Sequence, residues 1–242
     1  MDLGLAGAAV CVQGGTKGMG RAAAECFARD GARVVVLARG QAGLDQTVEV
    51  LRRLGSPEAW GIPVDLMEPA TIDAAFADIG RRWGELNTLV NAAGPGASGV
   101  TFDAIDDAEW HAAYEIGALS AVRCTRAALP LLRKAAWARV VNVSAHSTKR
   151  QSARLAAYTA AKSAMTSISK NMSLALASEE ILINTVSPGS FASPSFKAAM
   201  RRLPPERGLD PDDLYHCMRW SPRTSAIPRT CRGRAIPGRS GR

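Results

Sequence analysis

A chain of 242 residues, 47% of them hydrophobic and 21% charged, is long enough for one large α/β domain with a buried core. The formal net charge of +8 would suit a nucleic-acid-binding protein, but seven arginines after Asp213 account for all but one unit of it. Because no aromatic pattern or recognisable motif accompanies these arginines, we expect no nucleic-acid partner. No early apolar stretch is long enough for a signal peptide or a membrane span, so we also expect no membrane association.

Segments with strand and helix patterns alternate along the chain. The predicted strands are 8–13, 33–38, 59–64, 86–91, 139–144 and 181–186. The predicted helices are 21–29, 41–54, 69–83, 108–134 and 156–178. Repeated strand–helix units of this length predict a Rossmann-type, doubly wound parallel sheet with helices on both faces, three layers in all. We predict one such domain over residues 1–215 and an irregular basic tail over 216–242.

A glycine-rich loop, GGTKGMG at residues 14–20, lies between the first predicted strand and the first predicted helix. Glycines allow a tight turn and let the backbone approach a pyrophosphate, while the helix N-terminus offers free N–H groups. The position between a strand and a helix favours this interpretation over a flexible surface turn. The loop residues predicted to bind a dinucleotide are Gly14, Thr16, Lys17, Gly18, Met19 and Gly20.

The end of the second predicted strand bears on the choice of cofactor. An NAD site usually has an acidic residue there, which binds the ribose 2′-hydroxyl. This chain has Ala38 followed by Arg39, and Lys17 lies in the glycine loop. Two cations could flank a 2′-phosphate, so the sequence favours NADP(H) over NAD(H).

Tyr158 and Lys162 are four residues apart near the start of a predicted helix, so they share one face. A tyrosine with a pKa of about 10 is a poor base, but a nearby ammonium lowers that pKa. Tyr158 could then exchange a proton with a carbonyl or alcohol oxygen while hydride moves at carbon. Ser144, at the end of a predicted strand, could place a hydroxyl beside the same oxygen. We therefore predict that Ser144, Tyr158 and Lys162 are catalytic; a packed tyrosine beside a surface lysine is the alternative.

Together these motifs resemble the short-chain dehydrogenase/reductase family, most closely its ketoacyl-carrier-protein-reductase-like members, from the N-terminus to about Ser193. The resemblance also includes Asp65 after the third strand, NAAG at 91–94, VNVS at 141–144 and Pro188-Gly189. It implies hydride transfer between a nicotinamide cofactor and a small-molecule carbonyl or alcohol, and a homodimer or homotetramer. The further cofactor contacts that it implies are Asp65, Leu66, Asn91, Ala92, Gly94, Tyr158, Lys162, Pro188 and Gly189.

The chain departs from the family pattern at several positions. Gln13 stands where the family usually has threonine, and Gly117 stands where an asparagine helps to bend a helix and to hold a proton-relay water. The family serine precedes the tyrosine by thirteen residues, which here is Ala145; Ser144 and Ser147 are the neighbouring alternatives. These departures leave an impaired or non-catalytic dinucleotide-binding protein as the alternative function.

The end of the chain lacks the features that the family resemblance leads us to expect. Residues 219–242 contain no acidic residue and no apolar periodicity, so the seventh strand of the family should be missing. A disordered basic arm is one interpretation and a shifted reading frame is another. Five cysteines without CxxC or metal-ligand spacing indicate a reducing, cytoplasmic location and no metal site. The substrate should be selected by the loop at 190–207.

Overall fold

The computed structural model of the chain describes residues 3–96 and 100–189. They contain a six-stranded, fully parallel sheet with the strand order β3-β2-β1-β4-β5-β6. The strands are β1 Ala9–Gln13, β2 Arg33–Ala38, β3 Ala59–Pro63, β4 Thr88–Asn91, β5 Ala138–Val143 and β6 Ile181–Val186. The α-helices are α1 Gly18–Arg29, α2 Gln41–Arg53, α3 Pro69–Trp83, α4 Asp107–Tyr114, α5 Ser120–Leu132 and α6 Ala156–Ala175.

The predicted fold is confirmed, because the central strands are short apolar runs buried on both faces. All five residues of β1 are buried, and β2 has four consecutive buried residues in its centre. The helices cover both faces, which divides the apolar core into two main clusters. The described residues all lie in one compact unit, Met1–Phe191.

The strand order indicates where on the sheet a ligand would bind. The order reverses between β1 and β4, which are neighbours in space although two strands separate them in the chain. Ligands of doubly wound sheets bind in the crevice at the carboxyl ends of the strands beside such a reversal. The glycine loop follows β1 directly, and residues 92–96 follow β4 directly, so both lie at this crevice.

The predicted helix over 108–134 is the main difference in secondary structure. A π-helical turn, Glu115–Leu119, separates α4 from α5. Gly117 lies in this turn and is buried; a β-carbon there would come within 2.7 Å of the Ala161 Cβ in α6. Apolar periodicity does not distinguish a π turn from α-helix, so only the family resemblance, which implies a bend at position 117, indicates this interruption.

Four predictions concern residues outside those that the structure describes, and they stay predictions. They are the missing seventh strand, the domain boundary between residues 215 and 216, the basic tail, and substrate selection by the loop at 190–207. No helix within residues 3–96 and 100–189 is both long and apolar enough to cross a membrane. Cys11 and Cys124 are buried as free thiols in the core, and Cys26 is an exposed free thiol.

Candidate active site

The glycine loop after β1 is shaped by close backbone contacts. Gly14 has a φ of 76°, and a β-carbon on it would lie 2.8 Å from the Ala93 nitrogen. A β-carbon on Gly20 would lie 2.3 Å from the Gly14 carbonyl oxygen. Helix α1 then begins at Gly18, and its N-cap residue, Lys17, makes no side-chain cap. The first N–H groups of α1 therefore lack a side-chain acceptor, which suits an anion such as a pyrophosphate.

Two predicted phosphate-binding cations lie beside this loop. Lys17 and Arg39 are exposed, and neither forms an ion pair with any residue in the described parts of the chain. Arg39 directly follows β2, whose partner strand β1 leads into the glycine loop. Thr16 also approaches α2, since its Cβ is 3.7 Å from the position of a β-carbon on Gly43. The positive charges of Lys17 and Arg39, beside the glycine loop, fit the 2′-phosphate of a ribose.

Two of the predicted cofactor contacts, Asp65 and Leu66, follow β3. Asp65 is half-buried, and its Oδ1 accepts a hydrogen bond from the Met67 N–H at 3.0 Å. The Asp65 carbonyl accepts from the Thr71 hydroxyl at 2.7 Å, which ties this turn to α3. Leu66 is buried. Asp65 is therefore held in a defined turn at the carboxyl edge of the sheet.

Asn91, at the end of β4, has its side chain inside the protein. Its Nδ2 donates to Asn142 Oδ1 at 2.8 Å and to Thr125 Oγ1 at 3.3 Å, and Asn142 Nδ2 donates to Ser169 Oγ at 2.8 Å. Asn91 Oδ1 is buried and has no hydrogen-bond partner among the described residues. The Asn91 side chain thus joins β4 and β5 to α5, while its predicted contact with the cofactor stays a prediction.

Lys162 is 2% exposed and lies at the centre of the site. Its Nζ donates to the Val143 carbonyl at 2.7 Å and to the Ala93 carbonyl at 3.2 Å. A β-carbon on Gly94 would lie 3.0 Å from both the Lys162 Cε and its Nζ, so a larger residue at position 94 would displace the end of the Lys162 side chain. The ammonium is therefore held between the ends of β4 and β5.

Tyr158 lies one helical turn before Lys162 on α6 and is half-buried. Its hydroxyl forms no hydrogen bond with any residue in the described segments. That hydroxyl can therefore take up a ligand oxygen without first giving up a partner in the protein.

The pKa values of the pair differ from the sequence-based prediction. Burial raises the pKa of Tyr158, whereas proximity to an ammonium was expected to lower it. Burial also lowers the pKa of Lys162 to about 8, so its charged form is itself disfavoured. Burial is the one cause of the raised pKa of Tyr158 among the described residues, so the predicted lowering by the Lys162 ammonium is absent from this structure.

Ser144 does not direct its hydroxyl to an open site in this structure. The side chain is 2% exposed, and its Oγ donates to the Lys162 carbonyl at 3.2 Å and lies 2.7 Å from Thr166 Oγ1. Ala145, which has no hydroxyl, follows it and is also buried. Ser147 Oγ instead accepts from the Thr159 hydroxyl at 3.0 Å. The observed contacts of Ser144 hold α6 against β5, and its catalytic role stays a prediction.

Pro188 and Gly189 follow β6 at the same edge of the sheet. The Pro188 carbonyl accepts from the His146 N–H at 2.9 Å, and the Val186 carbonyl accepts from the Ser144 N–H at 2.8 Å. These bonds join the loops after β5 and β6, so the predicted cofactor contacts Pro188 and Gly189 lie beside Ser144.

Comparison with known proteins identifies the family. Residues 8–203 match the family model described as short chain dehydrogenase. The chain belongs to the short-chain dehydrogenase family. This short-chain dehydrogenase is 30% identical to the uncharacterized oxidoreductase YvrD of Bacillus subtilis over 212 residues, which cover 88% of this chain and 79% of the relative.

Two solved structures of related reductases carry NADPH. Actinorhodin polyketide ketoreductase with NADPH is 28% identical with a TM-score of 0.79, and the match covers 86% of this short-chain dehydrogenase and 80% of that chain. L-Sorbose reductase from Gluconobacter frateurii, complexed with NADPH and L-sorbose, is 26% identical with a TM-score of 0.83. That match covers 88% of this chain and 81% of the reductase chain.

Sequence reasoning missed the groups that hold Lys162 in this short-chain dehydrogenase. Two of them are the carbonyls of Ala93 and Val143, which carry no side-chain signal at all. The third is Thr166, one turn after Lys162, whose hydroxyl donates to the Lys162 carbonyl at 2.8 Å. A threonine inside a helix, four residues after a candidate lysine, was the only signal available for this part of the site.

Proposed function

We propose that this chain is an NADP(H)-dependent oxidoreductase that interconverts a ketone and a secondary alcohol, with Tyr158 as the acid and base. The observation that carries this proposal is the half-buried Tyr158 hydroxyl, which has no hydrogen-bond partner within residues 3–96 and 100–189 and lies one helical turn from the buried Lys162 ammonium. Both lie at the sheet edge that also holds the glycine loop, where dinucleotides bind in doubly wound folds.

The described residues fit a dinucleotide at this edge. Gly14 and Gly20 lie where a β-carbon would collide with backbone atoms, and no side chain in the described part of the protein caps the N-terminus of α1. Lys17 and Arg39 would take a 2′-phosphate, and two related reductases are solved with NADPH, so we propose NADP(H) over NAD(H). The bound nicotinamide would supply the hydride to a ketone or accept it from an alcohol.

Tyr158 moves the proton that accompanies this transfer. In reduction, its hydroxyl donates a proton to the substrate oxygen as negative charge develops there. The Lys162 ammonium stabilises the phenolate that remains on Tyr158. An unperturbed tyrosine already carries its proton at neutral pH, so the Tyr158 hydroxyl can act as the acid in reduction. Burial, which raises the pKa of Tyr158, makes the phenolate needed for alcohol oxidation harder to form.

Ser144 contributes by placing α6, on which both Tyr158 and Lys162 lie. Its hydroxyl forms hydrogen bonds with the Lys162 carbonyl and with Thr166 Oγ1. Both hydrogen bonds would have to break before the hydroxyl could contact a substrate. Because Ala145 has no hydroxyl, we expect a low kcat. If kcat is zero, the protein binds a dinucleotide without turnover, which is the alternative function. A cytoplasmic location and a homodimer or homotetramer remain part of the proposal.

The test is oxidation of NADPH and of NADH against a panel of ketones, with the wild-type chain and with Tyr158→Phe. We expect turnover with at least one ketone, a preference for NADPH, and a loss of at least about 100-fold in kcat in Tyr158→Phe. Unchanged turnover in Tyr158→Phe would contradict the role of the tyrosine. Equal or better use of NADH would contradict the cofactor preference, and tight NADPH binding without turnover on any ketone would favour the non-catalytic alternative.

A further inference from the structure

The side-chain amide of Gln13 lies wholly inside the protein at the carboxyl end of β1, 0% exposed. Its Oε1 accepts a hydrogen bond from the Ala93 N–H at 2.9 Å, and its Nε2 donates to Ser120 Oγ at 3.2 Å. The Gln13 backbone carbonyl also accepts from the Ala92 N–H at 3.0 Å. Gln13 therefore holds two successive residues of the loop that follows β4.

One of these contacts leads to the active-site lysine. The Ala93 carbonyl is one of the two acceptors of the Lys162 ammonium, at 3.2 Å. Ala93 therefore makes two hydrogen bonds here: its carbonyl accepts from Lys162, and its N–H donates to the buried Gln13 amide. A buried donor that loses its acceptor is costly, so the segment would rearrange if the amide were removed.

The second contact leads to the π-helical turn beside Lys162. Ser120 Oγ, which accepts from Gln13, donates to the Ile116 carbonyl within that turn at 2.8 Å. Gly117 in the same turn lies against Ala161, the residue before Lys162. The Gln13 amide thus connects the segment after β4, which includes an acceptor of Lys162, with the π-helical turn, which packs against the neighbouring Ala161.

We propose that Gln13 is a positioning residue for Lys162, acting through the Ala93 carbonyl that accepts one of the ammonium's two hydrogen bonds. The proposal rests on the proposed function for its catalytic consequence, but its structural part can be tested without turnover. A carbonyl acceptor favours the charged form of a lysine, so loosening it shifts the equilibrium toward the neutral amine. Burial lowers the pKa of Lys162, and no charged group in the described residues contributes to that shift.

The test measures the pKa of Lys162 directly, from the pH dependence of its ¹³Cε chemical shift in lysine-labelled protein. The resonance is assigned with Lys162→Met. In Gln13→Met, which keeps the length of the side chain but removes the acceptor, we expect the Lys162 pKa to fall by about half a unit or more. Gln13→Glu keeps an oxygen for the Ala93 N–H, so we expect a pKa at or above the wild-type value.

The matched control is Asn87→Leu at the other end of the same strands. Asn87 is also buried, and it accepts from the Ala9 N–H at 2.9 Å and donates to the Trp137 carbonyl at 3.2 Å. We expect this variant to lose stability while leaving the Lys162 pKa unchanged. If Gln13→Met does not fold, Gln13→Asn replaces it, because its amide is one methylene too short to reach Ala93, and the same downward shift is expected.

A Lys162 pKa that is unchanged in the Gln13 variant, or that moves equally in Asn87→Leu, overturns the proposal. With an active ketone, Gln13→Met should also lower kcat about tenfold with little change in KM for NADPH. Loss of activity in Tyr158→Phe together with an unchanged Lys162 pKa in Gln13→Met would retain the proposed function and reject the role of Gln13. Unchanged activity in Tyr158→Phe together with a lowered Lys162 pKa in Gln13→Met would reject the proposed function and retain the role of Gln13.

Discussion

The ammonium of Lys162 is disfavoured by burial, and this has a consequence for the stability of the folded chain. Its pKa falls from 10.5 to about 8 on folding. Below pH 8 the folded and unfolded states both carry the proton, and the folded state bears a penalty of about 3 kcal/mol. Between pH 8 and 10.5 the unfolded state binds more protons, so this penalty is lost as pH rises.

We therefore expect Lys162→Met to gain stability relative to wild type near pH 7, with the difference shrinking toward pH 10. Urea denaturation of both proteins across this range measures the difference. The comparison cancels other groups that titrate in the same range. A difference that is independent of pH would show that Lys162 keeps an ordinary pKa in the folded state.

Ala145 offers a second test at the scale of one residue. The Ser144 hydroxyl is engaged with α6, and Ala145, at the position where the family resemblance expects serine, has none. If a hydroxyl donor is missing, Ala145→Ser should raise kcat severalfold, because one such donor can contribute about 10²–10³ in turnover. Ser144→Ala should lower kcat by less than Tyr158→Phe does.

Steady-state kinetics of these variants with the best ketone checks this prediction. A loss of about 100-fold or more in Ser144→Ala, with no gain in Ala145→Ser, would favour direct catalysis by Ser144 instead.

At the scale of elements, the close contact between the π-helical turn and α6 predicts opposite effects for two helix glycines. Alanine on Gly117 would place its Cβ 2.7 Å from the Ala161 Cβ, and neither atom can move without its backbone. Alanine on Gly43 in α2 would meet Thr16 at an ordinary 3.7 Å. We expect Gly117→Ala to cost about 1–3 kcal/mol through overpacking and Gly43→Ala to gain up to about 1 kcal/mol.

Thermal denaturation of the two variants against wild type measures this contrast. An equal gain in stability in both variants would contradict the prediction. It would mean that α6 accommodates a side chain at position 117, where the family resemblance leads us to expect asparagine.

The elements also show how far sequence reasoning extends in this fold. Strands β2 and β6 and helix α3 were predicted with the observed limits, because apolar runs bounded by glycine, proline or polar residues define them. The break between α4 and α5 is not predicted by apolar periodicity, which does not distinguish a π turn from α-helix, although the family resemblance indicates a bend at position 117.

The site was predicted unevenly for the same kind of reason. Tyr158 and Lys162 share a helix, so their spacing alone brings them together. The raised pKa of Tyr158, the inward contacts of Ser144 and the carbonyls around Lys162 depend on burial and backbone direction. Those properties arise only when β4, β5 and α6 are packed.

At the scale of the whole molecule, the predicted cofactor contacts come from segments spread along the described chain. They follow β1, β2, β3 and β4 and include α6, so one ligand would link both halves of the sheet. At 100 times its Kd, NADPH should stabilise the fold by about 2.7 kcal/mol. For a chain of this length we expect a rise in Tm of roughly 5–10 °C.

Thermal melts with NADPH and NADH at equal concentration measure this effect, and Arg39→Ala is the matched variant. It should reduce the shift with NADPH and leave the shift with NADH nearly unchanged. Equal shifts for both cofactors in the wild-type chain would contradict the assignment of Lys17 and Arg39 to a 2′-phosphate.

The central claim is that Tyr158 and Lys162 support hydride transfer to a ketone at the carboxyl edge of the sheet. The most direct measurement uses NADPH deuterated at the transferring position of C4, with mass spectrometry of the alcohol formed from the best ketone. We predict one deuterium on the carbinol carbon with the wild-type chain and no deuterated alcohol above background with Tyr158→Phe, although that variant still binds NADPH. Deuterated alcohol formed equally by both proteins would contradict the account.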